Sequence, residues 1–130
     1  MAKKILTVDD DPDIIAFVKT VLEENGYLPL VARNGEAGLA MVREEKPALV
    51  ILDVLMPKQS GIRMYREMKF DEDLKDIPVV VLSGIAKRTF LRSQEALTEF
   101  GDDPVPEPEA YIEKPVEPEE LAEVIKKLVS

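Results

Sequence analysis

The 130-residue sequence contains no cysteine and no histidine. That excludes disulfide staples, thiol nucleophiles, zinc sites built on cysteine or histidine, Ser-His-Asp catalysis and histidine phosphocarrier chemistry, since each needs a side chain the protein lacks. Long apolar runs are also missing: none approaches the roughly eighteen residues of a membrane span. The start, Met-Ala-Lys-Lys-Ile-Leu-Thr-Val-Asp, turns acidic before a signal-peptide core could form. The cytoplasm is therefore the expected compartment, with no membrane partner. Positive charge is short too: 17 basic against 26 acidic side chains leave a net charge of −9. A field of that sign repels phosphate backbones, so direct nucleic-acid binding is not expected.

What remains for chemistry is carboxylate, hydroxyl, Lys and Arg. At 45% hydrophobic and 33% charged residues the chain can bury a sizeable core. Its length suits one domain, and residues 1–130 are expected to form it, without a second module.

Five short apolar runs predict strands: Ile5 to Val8, Leu28 to Ala32, Leu49 to Leu52, Val79 to Leu82 and Ala110 to Ile112. Three are apolar nearly throughout, as befits central parallel strands covered on both faces. Helical patterns lie between them. The first spans Pro12 to Asn25, with Asp11 as N-cap, Pro12 at the first helical position and Gly26 past the end. Others fit Gly35 to Glu45, Ile62 to Phe70, Arg88 to Phe100 and Pro118 to Val129. The alternation predicts an α/β fold with a doubly wound, five-stranded parallel sheet, flavodoxin-like in design. One stretch breaks the rhythm. From Gly101 to Glu120 the chain holds half of its ten prolines and many acidic residues against the single base Lys114. Residues 101–110 are expected to be an extended acidic loop.

Ligands of open parallel sheets bind outside the carboxyl ends of the strands. The polar residues there are Asp9 and Asp10 after the first strand, Asp53 after the third, Ser83 after the fourth and Lys114 after the fifth. In the usual order of this fold the first and third strands are neighbours, which gathers Asp9, Asp10 and Asp53 into one acidic cluster. At about 4 Å and an effective dielectric near 20, each carboxylate pair repels by about 4 kcal/mol, so the cluster calls for a cation. All-oxygen ligands select a hard dication such as Mg2+. An Asp beside a metal, a lysine and a hydroxyl is suited to nucleophilic attack on phosphorus, giving an aspartyl-phosphate. Asp9 and Asp10 also admit a plainer reading as strand-end residues. Lys87, Arg88 and Arg92 read as a solvated face that could also dock the acidic loop.

The residues Asp9-Asp10-Asp11, Leu52-Asp53-Val54-Leu55-Met56-Pro57 with Gly61, Val-Leu-Ser83-Gly84 and Tyr111-Ile-Glu-Lys114-Pro115 resemble the receiver domain of two-component response regulators over nearly the whole chain. The resemblance implies that Asp53 is phosphorylated by a histidine kinase or histidine phosphotransfer protein. Asp10, Asp53 and the Leu55 backbone carbonyl would ligate Mg2+, and Asp9 would act mainly through water. Lys114 would pair with the phosphoryl group, and the Lys114-Pro115 bond would be cis. Ser83 and Tyr111 would form the switch, altering the face made by the fourth helix, fifth strand and fifth helix and so controlling a protein target, with a phosphorylation-linked dimer as one form of readout. Tyr111 could equally be packing. Such a domain catalyses its own phosphorylation and dephosphorylation without being a multiple-turnover enzyme. The apolar Leu55 and Ile85, at positions that tune water access in this family, predict slow self-dephosphorylation. The span from Ser83 to Lys114 is longer than this family usually allows, the excess lying in the acidic loop. Three alternatives stand beside a terminal switch: a phosphorelay intermediate, a Mg2+-dependent phosphatase of the haloacid-dehalogenase kind, and a pseudo-receiver that only binds partners.

Overall fold

In the computed structural model, which describes residues 2–92 and 105–129, five parallel strands form one sheet in the order β2-β1-β3-β4-β5. The strands are β1 (Lys4–Val8), β2 (Leu28–Ala32), β3 (Leu49–Leu52), β4 (Val79–Ser83) and β5 (Ala110–Glu113). The helices are α1 (Pro12–Glu24), α2 (Gly35–Glu45), α3 (Ser60–Phe70), α4 (87–92) and α5 (Pro118–Val129). This is the doubly wound α/β fold expected from the sequence. Of the helix expected over Arg88 to Phe100, residues 93–100 lie outside the described residues, as do 101–104 of the acidic loop.

Every residue of β3 and β4 is buried, and β1 is buried from Ile5 onward. Their side chains supply two cores. Leu6, Val8, Val50, Leu52 and Val81 pack with Val42, Met64, Tyr65 and Phe90 on one face. Ile5, Leu49, Ile51 and Val80 pack with Val18, Leu22, Leu121 and Ile125 on the other. Each such side chain contributes about 1.5–3 kcal/mol on burial, so the central strands are where the fold is anchored. At the sheet edge β2 is only partly buried.

Local chemistry sets the helix starts. The Asp11 carboxylate accepts the Asp13 N–H at 2.9 Å and caps α1, and Asn34 caps α2 by accepting the Ala37 N–H at 2.8 Å. Helix α3 begins at Ser60, two residues before the expected Ile62, after a 3₁₀ turn at Pro57–Gln59. Ser and Gly are weak helix formers, which hid this start from the sequence pattern. Gly61 is needed for contact: a Cβ there would stand 2.2 Å from the Asp53 carbonyl oxygen. A Cβ on Gly35 would meet the Ser60 carbonyl oxygen at 2.0 Å. The two helix starts are therefore pressed against each other and against the end of β3.

Candidate functional site

The pairing of β1 with β3 sets Val8 opposite Leu52, so the residues that follow each strand leave the sheet side by side. The Asp53 N–H continues the ladder by donating to the Val8 carbonyl at 2.9 Å, and the Asp9 N–H donates to Ala32 at 3.2 Å. Both carboxylates are thus held by backbone at the rim. Asp9 is 2% and Asp53 5% exposed, whereas Asp10 is exposed. Carboxylate oxygens of Asp9, Asp10 and Asp53 lie within 4.8 Å of one another. Two carboxylates this buried require compensation.

Lys114 and two backbone amides supply part of it. The Lys114 ammonium lies 3.0 Å from Asp9 Oδ2 and 3.3 Å from Asp53 Oδ2. The Asp11 N–H donates to Asp9 Oδ1 and the Leu55 N–H to Asp53 Oδ1, each at 2.9 Å. Burial pushes the Asp9 carboxyl above its usual range; the Asp11 N–H and Lys114 oppose this, and the Asp53 charge adds to it. For Lys114, burial disfavours the ammonium, but its bond to Asp9 and the charges of Asp53 and Asp9 outweigh that and raise its pKa. Among the described residues, Lys114 is the cation that pairs with the two buried carboxylates, and Asp10 lies at their side. The residual negative charge and the all-oxygen donor set fit a hard dication such as Mg2+.

Ser83 is fully buried at the end of β4, and its Oγ receives the Ile85 N–H at 3.5 Å. The Ser83 carbonyl accepts the Lys114 N–H at 2.9 Å, tying the fourth strand end to the lysine. The Lys114-Pro115 peptide bond is cis. Tyr111 is half-buried; its hydroxyl donates to the Ile85 carbonyl at 2.8 Å and its ring lies 5.7 Å from that of Phe90. Burial and the charges of Glu113 and Asp53 push its phenol up to about 12. Leu55 is 59% exposed beside Asp53. Asp11 serves as the helix cap.

A second lysine site escaped the sequence reading. Lys69, its side chain 5% exposed, pairs with both Glu109 oxygens, and Glu109 also accepts the Val79 N–H at 3.3 Å. The Tyr65 hydroxyl donates to the Pro106 carbonyl. Tyr65 stacks edge-on with Phe90 at 5.5 Å. These contacts strap residues 105–109 to α3, and Lys87 adds a surface pair with Glu107 at 3.3 Å. Only the i, i+4 spacing of Tyr65 and Lys69 on the buried face of α3 signalled it.

A flavodoxin-like sheet with paired acids, a β3 acid, a β4 hydroxyl and a lysine after β5 gathers its polar groups at the carboxyl ends of the strands, where open α/β sheets bind their ligands. Residues 5–126 match the family model of the response regulator receiver domain, and the chain belongs to that family. It is 29% identical to the polar-differentiation response regulator DivK of Brucella anthropi, over 97% of this chain and 95% of that protein. It is 34% identical to the phosphate regulon transcriptional regulatory protein PhoB of Escherichia coli, of whose length it spans about half, 51%. Among solved structures, the signal receiver domain of a signal transduction histidine kinase from Syntrophus aciditrophicus superposes with a TM-score of 0.82 at 33% identity, covering 98% of this chain and 90% of that one. The chemotaxis protein CheY4 of Vibrio cholerae, at 23% identity and a TM-score of 0.81 over 98% of this chain and 99% of that one, shares the fold. Among the described residues, no helix is long and apolar enough to cross a membrane.

Proposed function

We propose that residues 1–130 act as one phosphorylation-controlled signalling domain in which Asp53 accepts a phosphoryl group from the phosphohistidine of a histidine kinase or histidine phosphotransfer protein. The observation that carries this reading is the excess of buried carboxylate over cation at the rim, where Lys114 stands between Asp9 and Asp53. Attack by an Asp53 oxygen forms the P–O bond as the donor's N–P bond breaks, and the leaving imidazole nitrogen takes a proton. Asp9, Asp10 and Asp53 would hold Mg2+, which supplies positive charge to the phosphoryl oxygens. Lys114 neutralises a further oxygen without moving far, since it already touches Asp53. Ser83 offers its hydroxyl to the phosphoryl group, and Tyr111 exchanges its bond to the Ile85 carbonyl for an inward position. The surface of α4, β5 and α5 changes with it and is read by a protein target in the cytoplasm, with dimerisation as one form of readout. Leu55 and Ile85 bring no polar group to position attacking water, so the acyl phosphate is long-lived.

Intact mass after incubation with Mg2+ and acetyl phosphate tests this directly. Wild type should gain one acid-labile phosphoryl group and Asp53→Ala none. Absence of an adduct together with absence of Mg2+ binding would instead mark a pseudo-receiver. Repeated phosphate release insensitive to Asp53→Ala would mark a phosphatase. A phosphoryl half-life of seconds would refute the long-lived adduct.

A further inference from the structure

A second concave site lies beside the carboxylate rim, between the starts of α2 and α3. It has a volume of about 290 Å³ and is lined by Arg33, Lys58 and Arg63, together with Ser60, Asp10 and Glu36. The three cations come from three separate places: the β2–α2 loop, the turn after β3, and α3 itself. In a chain of net charge −9 such a concentration runs against the overall field. Among the described residues none of the three forms an ion pair or hydrogen bond, although carboxylates are abundant. Ser60 Oγ is buried and has no hydrogen-bond partner. A buried hydroxyl left unpaired costs free energy. Helices α2 and α3 both begin here, pressed together at Gly35 and Ser60, so two positive dipole ends reinforce the side chains.

We propose that this cavity binds a small phosphate-bearing anion. Two guanidiniums match phosphate oxygens in bidentate geometry, and the lysine adds a point charge. The two carboxylates of the lining, Asp10 and Glu36, disfavour an occupant that is anionic throughout and suit one that also carries hydroxyl or amine groups. The volume admits a compound the size of pyrophosphate or a phosphorylated sugar and excludes dinucleotides. Because Asp10 borders both sites, the occupant sits next to the acceptor carboxylates without using them.

Calorimetric titration of the intact chain with inorganic pyrophosphate, in Mg2+-free buffer containing chelator, tests the proposal. Saturable one-to-one binding is expected. The Arg33→Ala/Lys58→Ala/Arg63→Ala variant, whose changes are all at exposed positions, should bind at least about tenfold more weakly, the loss of one charge-assisted contact or more. Asp53→Ala, which removes negative charge near Asp10, should not weaken binding. Lys126→Ala/Lys127→Ala, which removes charge elsewhere, should also bind as wild type. Absence of saturable binding in wild type would overturn the site. So would equal weakening in the Lys126/Lys127 variant, which would mean the general field acts, or loss in Asp53→Ala, which would place the anion at the acceptor instead. Circular dichroism melts establish that each variant is folded.

Discussion

Two lysines with buried surroundings divide the molecule into regions of opposite character. At the strap, Lys69 meets one carboxylate, Glu109, with both oxygens engaged and a backbone amide completing the acceptor. Charge there is balanced. At the rim, Lys114 meets two buried carboxylates with a third at their side. Charge there is unbalanced, and the deficit stays poised for a ligand. A matched pair stabilises a particular chain path, whereas a mismatched cluster stores electrostatic free energy that a metal or phosphoryl group can release. Buried charge is in itself no sign of function; its imbalance is.

The largest expected effect breaks the rim. Gly61→Ala drives a methyl into the Asp53 carbonyl, which a Cβ would reach at 2.2 Å, and should cost about 3 kcal/mol in urea unfolding while lowering Asp53 phosphorylation. Next, Lys69→Ala leaves Glu109 without its cation. With the Glu109 side chain 30% exposed, the loss should be about 2 kcal/mol, below that of a fully buried pair. The double variant Lys69→Met/Glu109→Gln, which keeps an acceptor for the Val79 N–H, should recover most of it, and failure to recover would mean that the pair does more than hold the strap. Third, Mg2+ at about ten times its dissociation constant should stabilise wild type and Lys69→Ala alike by about 1.4 kcal/mol, and Asp10→Asn by much less. A Mg2+ effect that depends on Lys69 would erase the distinction between the regions. Tyr65→Phe, which frees the Pro106 carbonyl, should cost about 1 kcal/mol.

The smallest effect belongs to a surface pair in neither region. The hydrogen bond from Arg43 at 2.7 Å, with the Asp73 N–H, holds the Asp71 carboxyl below its usual range. Its contribution is present above the model-peptide value of 3.8 and is lost as pH falls through the lower folded value. Arg43→Ala should therefore lower the melting temperature slightly at neutral pH, where the contribution is present, and leave it unaltered in acid below the folded value, so that the acid limb of the profile becomes shallower.

The strands and the five polar groups that follow them could be read from the sequence because each rests on local pattern: apolar runs on two-sided strands, and Asp, Ser or Lys at their ends; the strand order came from the usual arrangement of this fold. Asp11 as a cap was equally legible, since Pro12 follows it. The start of α3 was not, because Ser60 and Gly61 are weak helix formers and the close contact of Gly61 with the Asp53 carbonyl exists only in the folded chain. The Lys69–Glu109 pair lay beyond reach for a different reason. Its members are 40 positions apart, and nothing local tells a lysine on an amphipathic helix which carboxylate it will meet. The acidic loop reads as solvated chain in composition, yet Val105, Pro106 and Glu109 are tied to the core side of α3 and β4.

The order of the strands also makes the rim a test of completeness. Its lysine bonds to Asp9 across 105 positions and to Asp53 across 61, so the residue after the last strand brings a cation to the two buried acids placed by the first and third. A chain lacking β5 would carry the carboxylates without their counter-charge, and its β1–β3 edge would be electrostatically opposed at the rim. On the proposed reading, competence to receive a phosphoryl group would arrive in one step, with the closing of the sheet.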